Sequence, residues 1–476
     1  MKKTLTTCMM LLAVVTTSQA QMIKSETITV VENNQGIDLS KPSSEEVATA
    51  FRRAQQQADR TQSATSWRWI DRINNMPAHM REFFTSYESL VNQAIAGNDN
   101  CLTNPELGTT LADDEWCMVI KSYQDETTFT YPKDANNEVI AEYARQKAKD
   151  ICNEHANETF GFMGYLCMCL TYDIPQAFWL HSSFNWGHQY SYSFNYYPGS
   201  TTGTLRYNQA VKFILKSANF HHLRDEFTDP TVLRSAITEF NGLVAQLITD
   251  TPKDSWRYYA IDYLDTWLTT HNCYNTLISS TPNSVPTIAW SPLSALRGST
   301  GGLGPVCEGY ARAFKVLCDR LGIPCALCTG FATSSGGSGE AHMWNEVQME
   351  NGLWYAMDVT WDDPYDSQGR AVSGYENKKW FLLGSQDQNN GYTFAQSHPN
   401  GSTWTISAED EARWDYSLAS LITTNRYDLE TDIAGISGIK NARQQQPTGI
   451  YSLSGQRRSQ PQRGINIVNG QKVICP

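Results

Sequence analysis

Between Gly304 and Val359 the residue pattern passes from helical spacing to strand and hairpin spacing, and no other feature limits the fold of this chain as strongly. Ala311, Phe314, Leu317 and Leu321 recur at helical spacing on one face, and Gly322 with Pro324 ends the run. The spacing predicts a helix opened by Gly304-Pro305-Val306-Cys307-Glu308-Gly309-Tyr310, with Cys307 in its first turn. A strand is expected next, from Cys325 to Ala332, and then a Ser/Gly loop from Thr333 to Gly339. Ala341 to Val347 and Leu353 to Val359 read as the arms of a hairpin turned at Asn351-Gly352.

The remaining features bound the classes of protein that can carry this segment. The chain has 476 residues, enough for about two to four compact units. Hydrophobic residues are 41%, charged residues 18% and the mean hydropathy is -0.44, a composition that predicts a soluble globular body. A formal net charge of -12 argues against nucleic acid as a partner, since such binders present a basic stripe. Lys2 and Lys3 precede an apolar run from Leu5 to Val15, and Ser18-Gln19-Ala20 places small residues at a signal-peptidase site. Residues 1–20 are therefore expected to be a removable signal peptide, and the mature chain to be secreted, periplasmic or at the cell surface. No later segment is expected to span a membrane.

Export makes the thiols informative. Of 12 cysteines Cys8 leaves with the signal, and the remaining 11 (12 − 1) are odd in number, so at least one thiol is expected to be unpaired. Free cysteine packs as a small hydrophobe or serves as a nucleophile. Cys325-x-x-Cys328 has half of a zinc spacing, but no second Cys/His pair with ligand spacing follows it, so neither a metal nor another cofactor is expected.

Along the chain, residues 21–66 read as a polar extension with one helix begun by the capping pattern Ser43 to Glu46. Residues 67–278 read as mostly helical, with Glu138 to Cys152, Asp229-Pro230 onward and Ile261 to Leu268 as helices. This stretch is interrupted by an aromatic hairpin. Phe184, Trp186, His188, Tyr190, Tyr192, Phe194 and Tyr196 fall on every second residue, which in a strand gathers them on one face. Such a face can stack on sugars or peptide side chains, but burial against the rest of the domain is the stronger expectation. Residues 279–425 form the expected core and 436–476 a small β-rich tail.

A cysteine nucleophile needs a base to take its proton and a third group to orient that base. Cys307, His342 and Asp358 supply these types, and the helix N-terminus favours a thiolate at Cys307. Of nine histidines, only His342 begins a strand whose hairpin partner carries an acid at comparable depth. Register decides whether they meet. A two-residue turn would pair Glu350 with Leu353, set His342 opposite Trp361 and turn Asp358 to the other face. A three-residue loop or a bulge would set His342 opposite Thr360 and put Asp358 on the same face as a diagonal neighbour.

With those residues in view, the segment from Ser294 to Pro364 resembles the core of the transglutaminase-like superfamily, close to its bacterial secreted branch. The matching words are Val-Cys-Glu-Gly-Tyr-Ala at 306–311, Leu-Gly-Ile-Pro at 321–324, Ala-His-Met-Trp-Asn at 341–345 and Asp-Val-Thr-Trp-Asp-Asp-Pro at 358–364. Upstream, Asp173-Ile174-Pro175, Phe178-Trp179, Tyr263-Leu264 and Tyr274 resemble the helical region preceding that core, which extends the likeness over 140–420. The resemblance implies an α+β, papain-like fold and an acyl-enzyme mechanism. Cys307 would be the nucleophile, His342 the base and then the acid, Asp358 the orienting carboxylate, and Trp344 with Asn345 packing or substrate-edge residues. Leu293 stands near the slot where relatives often carry an aromatic residue, which leaves the Cys307 backbone N–H as the surer oxyanion donor. The repeats Gly449 to Gln456 and Gly464 to Val473 resemble the sorting tails of the type IX secretion system, or an ordinary small β-module. Asp362, Asp363 and Asp366 read first as a solvated turn rather than a calcium site.

The expected function is thus a secreted, cysteine-dependent hydrolase or acyltransferase acting on peptide or isopeptide amides of cell-wall or extracellular peptide or protein. Hydrolysis is favoured over cross-linking. The alternative is an inactive transglutaminase-like module that binds peptide or glycan.

Overall fold

The structure, a computed structural model, describes residues 67–97, 116–182, 184–197, 199–217, 220–252, 256–299, 303–333, 339–363, 377–399 and 420–432, together with strand backbone at 10–12, 23–33, 109–110 and within 450–475. Apart from 10–12 the expected signal peptide lies outside these residues, as do the helix expected near Ser43, Asp366, and the cysteines Cys101 and Cys8. The chain divides into two units, Met1–Asn425 and Arg426–Pro476.

A first antiparallel sheet is made of β1 (Met10–Leu12), β2 (Ile23–Asn33), β3 (Thr109–Thr110), β4 (Trp116–Thr130), β5 (Asn185–Tyr196), β6 (Thr202–Ser217) and β7 (Phe220–His221). The order is β1-β2-β5-β6-β4-β3, with β7 on β6. Helices α1 (Ala78–Ile95), α2 (Asn137–Phe160), α3 (Met163–Tyr172), α4 (Pro230–Asp250) and α5 (Arg257–His271) belong to the same unit. The strand β4 stands where a helical stretch was expected. Its Val119, Ile120, Tyr123, Thr127 and Thr128 are β-branched or aromatic, and such side chains lose less freedom in a pleated sheet than in a helix.

The alternating aromatic residues of β5 are buried, and Tyr190, Tyr192, Phe194 and Tyr196 pack with Phe129, Leu205 and the Ala144/Ala148/Cys152 face of α2. An alanine-rich helix face lets the helix lie close to a sheet of large rings. This face is therefore core and offers no stacking platform to a ligand. α2 begins where Asn136 accepts from the Val139 amide, and α4 where Asp229 caps the Thr231 amide ahead of Pro230.

The second sheet holds β8 (Cys325–Ala332), β9 (Glu340–Gln348) and β10 (Trp354–Met357) in the antiparallel order β10-β9-β8. Helix α6 (Pro292–Arg297) leads into α7 (Cys307–Leu321), which is buried from Gly309 to Cys318 and packs on β8 and β9. Gly322 closes α7 in the left-handed conformation. Cys325 and Cys328 both sit in β8, the strand expected there, as buried thiols. A four-residue helix α8 (Val359–Asp362) follows β10, and the short hairpin β11 (Gln388–Asn389) and β12 (Tyr392–Thr393) runs into α9 (Phe394–Ser397). Helix and antiparallel sheet packed in this way are an α+β fold.

The second unit contains an antiparallel sheet of β13 (Ile450–Ser452), β14 (Arg457–Arg458), β15 (Gly464–Val468) and β16 (Gln471–Cys475), in the order β14-β13-β15-β16. The tail expected to be β-rich thus has that character. Among the described residues no helix is long and apolar enough to cross a membrane.

Candidate active site

Cys307 is the first residue of α7, half-buried, at the point where the chain leaves the extended Val306. The turn is locked from behind. The Val306 amide donates to the Ala289 carbonyl at 3.0 Å, and a Cβ on Gly309 would lie 2.6 Å from that same carbonyl oxygen. Only glycine lets the first turn approach so closely. As the first helical residue, Cys307 has an N–H without an intrahelical acceptor, directed off the helix end.

The adjacent acid could oppose a thiolate, yet its charge is occupied. Glu308 pairs with Arg312 at 3.0 Å and lies 3.9 Å from Arg224, both arginines being buried. Burial pulls the Arg224 pKa down to about 10, with Glu308 opposing the drop. Arg312 also donates to the carbonyls of Pro175 and Ala177 at 3.3 Å, which ties the Asp173-Ile174-Pro175 segment to α7.

His342 is the third residue of β9, opposite Gly330 of β8. Its Nε2 lies 2.8 Å from Asp358 Oδ2, and the Cys307 side chain is close enough to the same imidazole to act on its pKa. Burial alone would lower the imidazole pKa; the Asp358 carboxylate and Cys307 outweigh it and raise it to about 10. Burial would in turn raise the Asp358 pKa, but the two histidines beside it hold the carboxyl well below the usual range. The three residues expected from sequence to form a site are thus brought together.

The hairpin register is the one that permits this. Trp354 faces Gln348 and Met357 faces Asn345, so the arms close through a three-residue loop, Glu350 to Gly352, with Met349 donating to the Leu353 carbonyl at 3.0 Å. Gly352 is left-handed at φ 80. The strand stops at Met357, however, so the pairing does not continue to Thr360. Asp358 instead caps α8, its Oδ1 accepting from the Trp361 amide at 3.2 Å.

Trp344 and Asn345 are both buried. Asn345 donates to the Ala311 carbonyl at 3.0 Å and so fastens α7 to β9, and Trp344 lies among the rings behind His342. Both therefore have packing roles. Asp362 and Asp363 correct the expectation of a solvated turn. Asp362 accepts from the Trp380 amide at 2.9 Å, and Asp363 from the Tyr310 hydroxyl, so both carboxylates are drawn into the core by donors there. Leu293 is fully buried in α6, whereas the half-buried aromatic residue of that region is Trp290, packed with Tyr274 and Leu277 on Val306.

Sequence reasoning missed His398. Its Nε2 is 2.9 Å from Asp358 Oδ2, the same oxygen that meets His342, and its Nδ1 is 2.9 Å from Ser397 Oγ. Forty residues separate it from Asp358, and no periodicity or motif links the two. His342, Asp358 and His398 offer ligand atoms within 4.8 Å of one another. Tetrahedral zinc would hold such atoms about 3.3 Å apart, and the separations of 2.8 and 2.9 Å are instead those of hydrogen bonds.

A comparison with curated proteins finds no match. A solved structure titled "Crystal structure of a TGase" is 13% identical, over 49% of this chain and 64% of that one, at a TM-score of 0.23, a likeness too low to carry argument. This chain thus spans less than two thirds of that neighbour's length. The family model described as "Transglutaminase-like superfamily" matches residues 244–359, a span that includes Cys307, His342 and Asp358. Residues 244–359 of this chain are accordingly a transglutaminase-like superfamily domain.

Proposed function

We propose that this protein is a cysteine-dependent acyl-transfer enzyme acting on peptide or isopeptide amides, with Cys307 as nucleophile, His342 as base and acid, and Asp358 as the orienting carboxylate. The carrying observation is the 2.8 Å contact between His342 and Asp358, with Cys307 near enough to the imidazole to help raise its pKa. The sulfur of Cys307 attacks the carbonyl carbon while His342 holds its proton as imidazolium. The oxyanion is met by the Cys307 backbone N–H. His342 then passes the proton to the leaving amine, the C–N bond breaks, and a thioester remains. Water, giving its proton to His342, attacks the thioester and expels the thiolate; an amine in place of water yields transfer. Hydrolysis is the preferred reading, with cell-wall or extracellular peptide or protein as substrate.

Alkylation tests the site. Iodoacetamide at neutral pH should label Cys307 ahead of the buried thiols Cys152, Cys167, Cys169, Cys318, Cys325 and Cys328 and faster than a free cysteine. A Cys307 that reacts no faster than free cysteine would favour a non-catalytic binding module. Secretion belongs to the same proposal: exported protein should lack residues 1–20 by mass spectrometry, and an intact Met1 would count against it. The resemblance of the tail to type IX sorting tails is tested by whether deleting 436–476 blocks export.

A further inference from the structure

We propose that His398 is a positioning residue for the Cys307, His342 and Asp358 constellation, fixing the Asp358 carboxylate in the orientation that meets the His342 imidazole. The inference rests on the reading of those three residues as a triad.

Asp358 follows the last paired residue of β10 and caps a four-residue helix, so no strand ladder restrains its carboxylate. Three donors do so instead. Oδ1 receives the Trp361 amide, and Oδ2 lies 2.8 Å from His342 Nε2 and 2.9 Å from His398 Nε2. A carboxylate oxygen carries two lone pairs, and the two imidazoles fill them. Because the carboxylate is ionised, it can only accept, so both Nε2 atoms carry hydrogen. His398 Nδ1 then accepts the Ser397 hydroxyl at 2.9 Å, taking the hydrogen that the Phe394 carbonyl, 3.1 Å from the same oxygen, would otherwise receive. Neutral His398 makes both of its own hydrogen bonds in this way, and its burial favours the neutral form. It therefore orients the carboxylate without adding a second positive charge to compete with His342.

The ring of His398 is itself held. It stacks on Phe394 with centroids 4.2 Å apart and planes 2° from parallel. Trp361, Trp380 and Trp344 surround it at 4.5, 5.1 and 5.2 Å. An imidazole packed in this way cannot swing its Nε2 away from Asp358.

The test uses the full chain and two variants. His398→Phe keeps the stacked ring and removes the N–H; His398→Gln restores a donor at similar reach. Iodoacetamide alkylation of Cys307, followed across pH, should be slowed about tenfold or more in His398→Phe, as for other residues that orient a catalytic group, and recovered in part by His398→Gln. A merely structural role would lower the melting temperature of both variants equally without changing the alkylation profile of the folded protein, and would overturn the proposal. Nitrogen NMR of unsubstituted protein gives a readout independent of folding in the variants: His398 should be the Nε2–H tautomer. A proton on Nδ1 alone would refute the role. If wild-type Cys307 reacts no faster than free cysteine, the triad falls and this inference with it. Fast wild-type reaction matched by His398→Phe would remove His398 alone.

Discussion

The Met349 amide donates to the Leu353 carbonyl at 3.0 Å, and this bond sets the register on which the whole site depends. With Trp354 opposite Gln348, side chains alternate so that His342 and Asp358 emerge toward the same face. A loop shorter by one residue would turn them apart.

The first prediction concerns the residue that closes the loop. Gly352 sits at φ 80 with open space around the position of a Cβ, so strain alone opposes substitution. Gly352→Ala should cost about 1–2 kcal/mol, whereas Gly352→Asn should cost less, since asparagine tolerates the left-handed region. Urea unfolding should show a lower midpoint at unchanged slope. Deleting Gly352 should abolish Cys307 alkylation above the free-cysteine rate, and retention of fast labelling would refute the register argument.

Gly309 poses the opposite problem, because space rather than backbone angle is limiting. A Cβ there would meet the Ala289 carbonyl at 2.6 Å and Pro305 Cβ at 2.8 Å. Neither is the end of a flexible side chain. Gly309→Ala should therefore push the first turn of α7 off its support at a cost of about 1–3 kcal/mol, displacing Cys307 from His342. A drop in both melting temperature and alkylation rate is expected; an unchanged rate would mean that the support does not position the thiol.

The sequence was most legible where local pattern and tertiary position coincide. The helix at Cys307, the strand at Cys325 and the residues of the hairpin were readable because period, glycine punctuation and the matching words all agree. The aromatic face was readable as core for the same reason. What was not legible comes from contacts distant in sequence. The strand Trp116–Thr130 owes its place to pairing with β6, Glu308 is neutralised by Arg224 from another part of the chain, and His398 reaches Asp358 from α9. Asp362 and Asp363 were misread because Asp-Asp-Pro has the composition of a turn, while the donors that bury them lie at Trp380 and Tyr310.

Substitution of the three site residues should separate chemistry from stability. Cys307 is half-buried, so Cys307→Ala should abolish acyl transfer at a stability change within about 0.5 kcal/mol. His342 is buried, and His342→Ala would leave the Asp358 carboxylate short of a donor, at about 3 kcal/mol. Asp358→Asn should reduce activity less than Cys307→Ala, because a polar group remains beside the imidazole. It should nevertheless destabilise, since an amide cannot accept on both sides and must turn its NH2 either toward the Trp361 amide or toward the two histidines. Calorimetry beside an alkylation assay checks all three, and a Cys307→Ala variant that unfolds would identify the residue as core.

The last prediction is a pH dependence with a defined window. His342 is raised from 6.5 to about 10 by Asp358 and Cys307 against the opposing effect of burial. Between those values the native state holds a proton that the unfolded chain has lost, so stability from this pair is complete below about pH 6.5 and is lost as pH rises toward 10. Asp358, depressed by its histidines, contributes in the other direction, with stability present above its ordinary pKa and lost only in strong acid. Below pH 7 other buried groups oppose one another. Glu346 and Asp173 are pushed up to about 7 by burial, which erodes stability as pH rises toward that value. Burial lowers His181 and His188 to about 4, which restores stability over the same range. Above pH 7 the buried thiols of Cys152, Cys167, Cys169, Cys318 and Cys328, all pushed up by burial, also erode stability as pH nears 9, but they do so equally in His342→Gln, which cannot ionise at position 342. The difference between the two proteins from pH 7 to 9 therefore isolates His342, and the wild-type advantage should fall by up to about 1.4 kcal/mol per pH unit there. A wild-type advantage over His342→Gln that stays constant from pH 7 to 9 would mean that no imidazolium is held against Asp358, and that the acid and base roles must be assigned elsewhere.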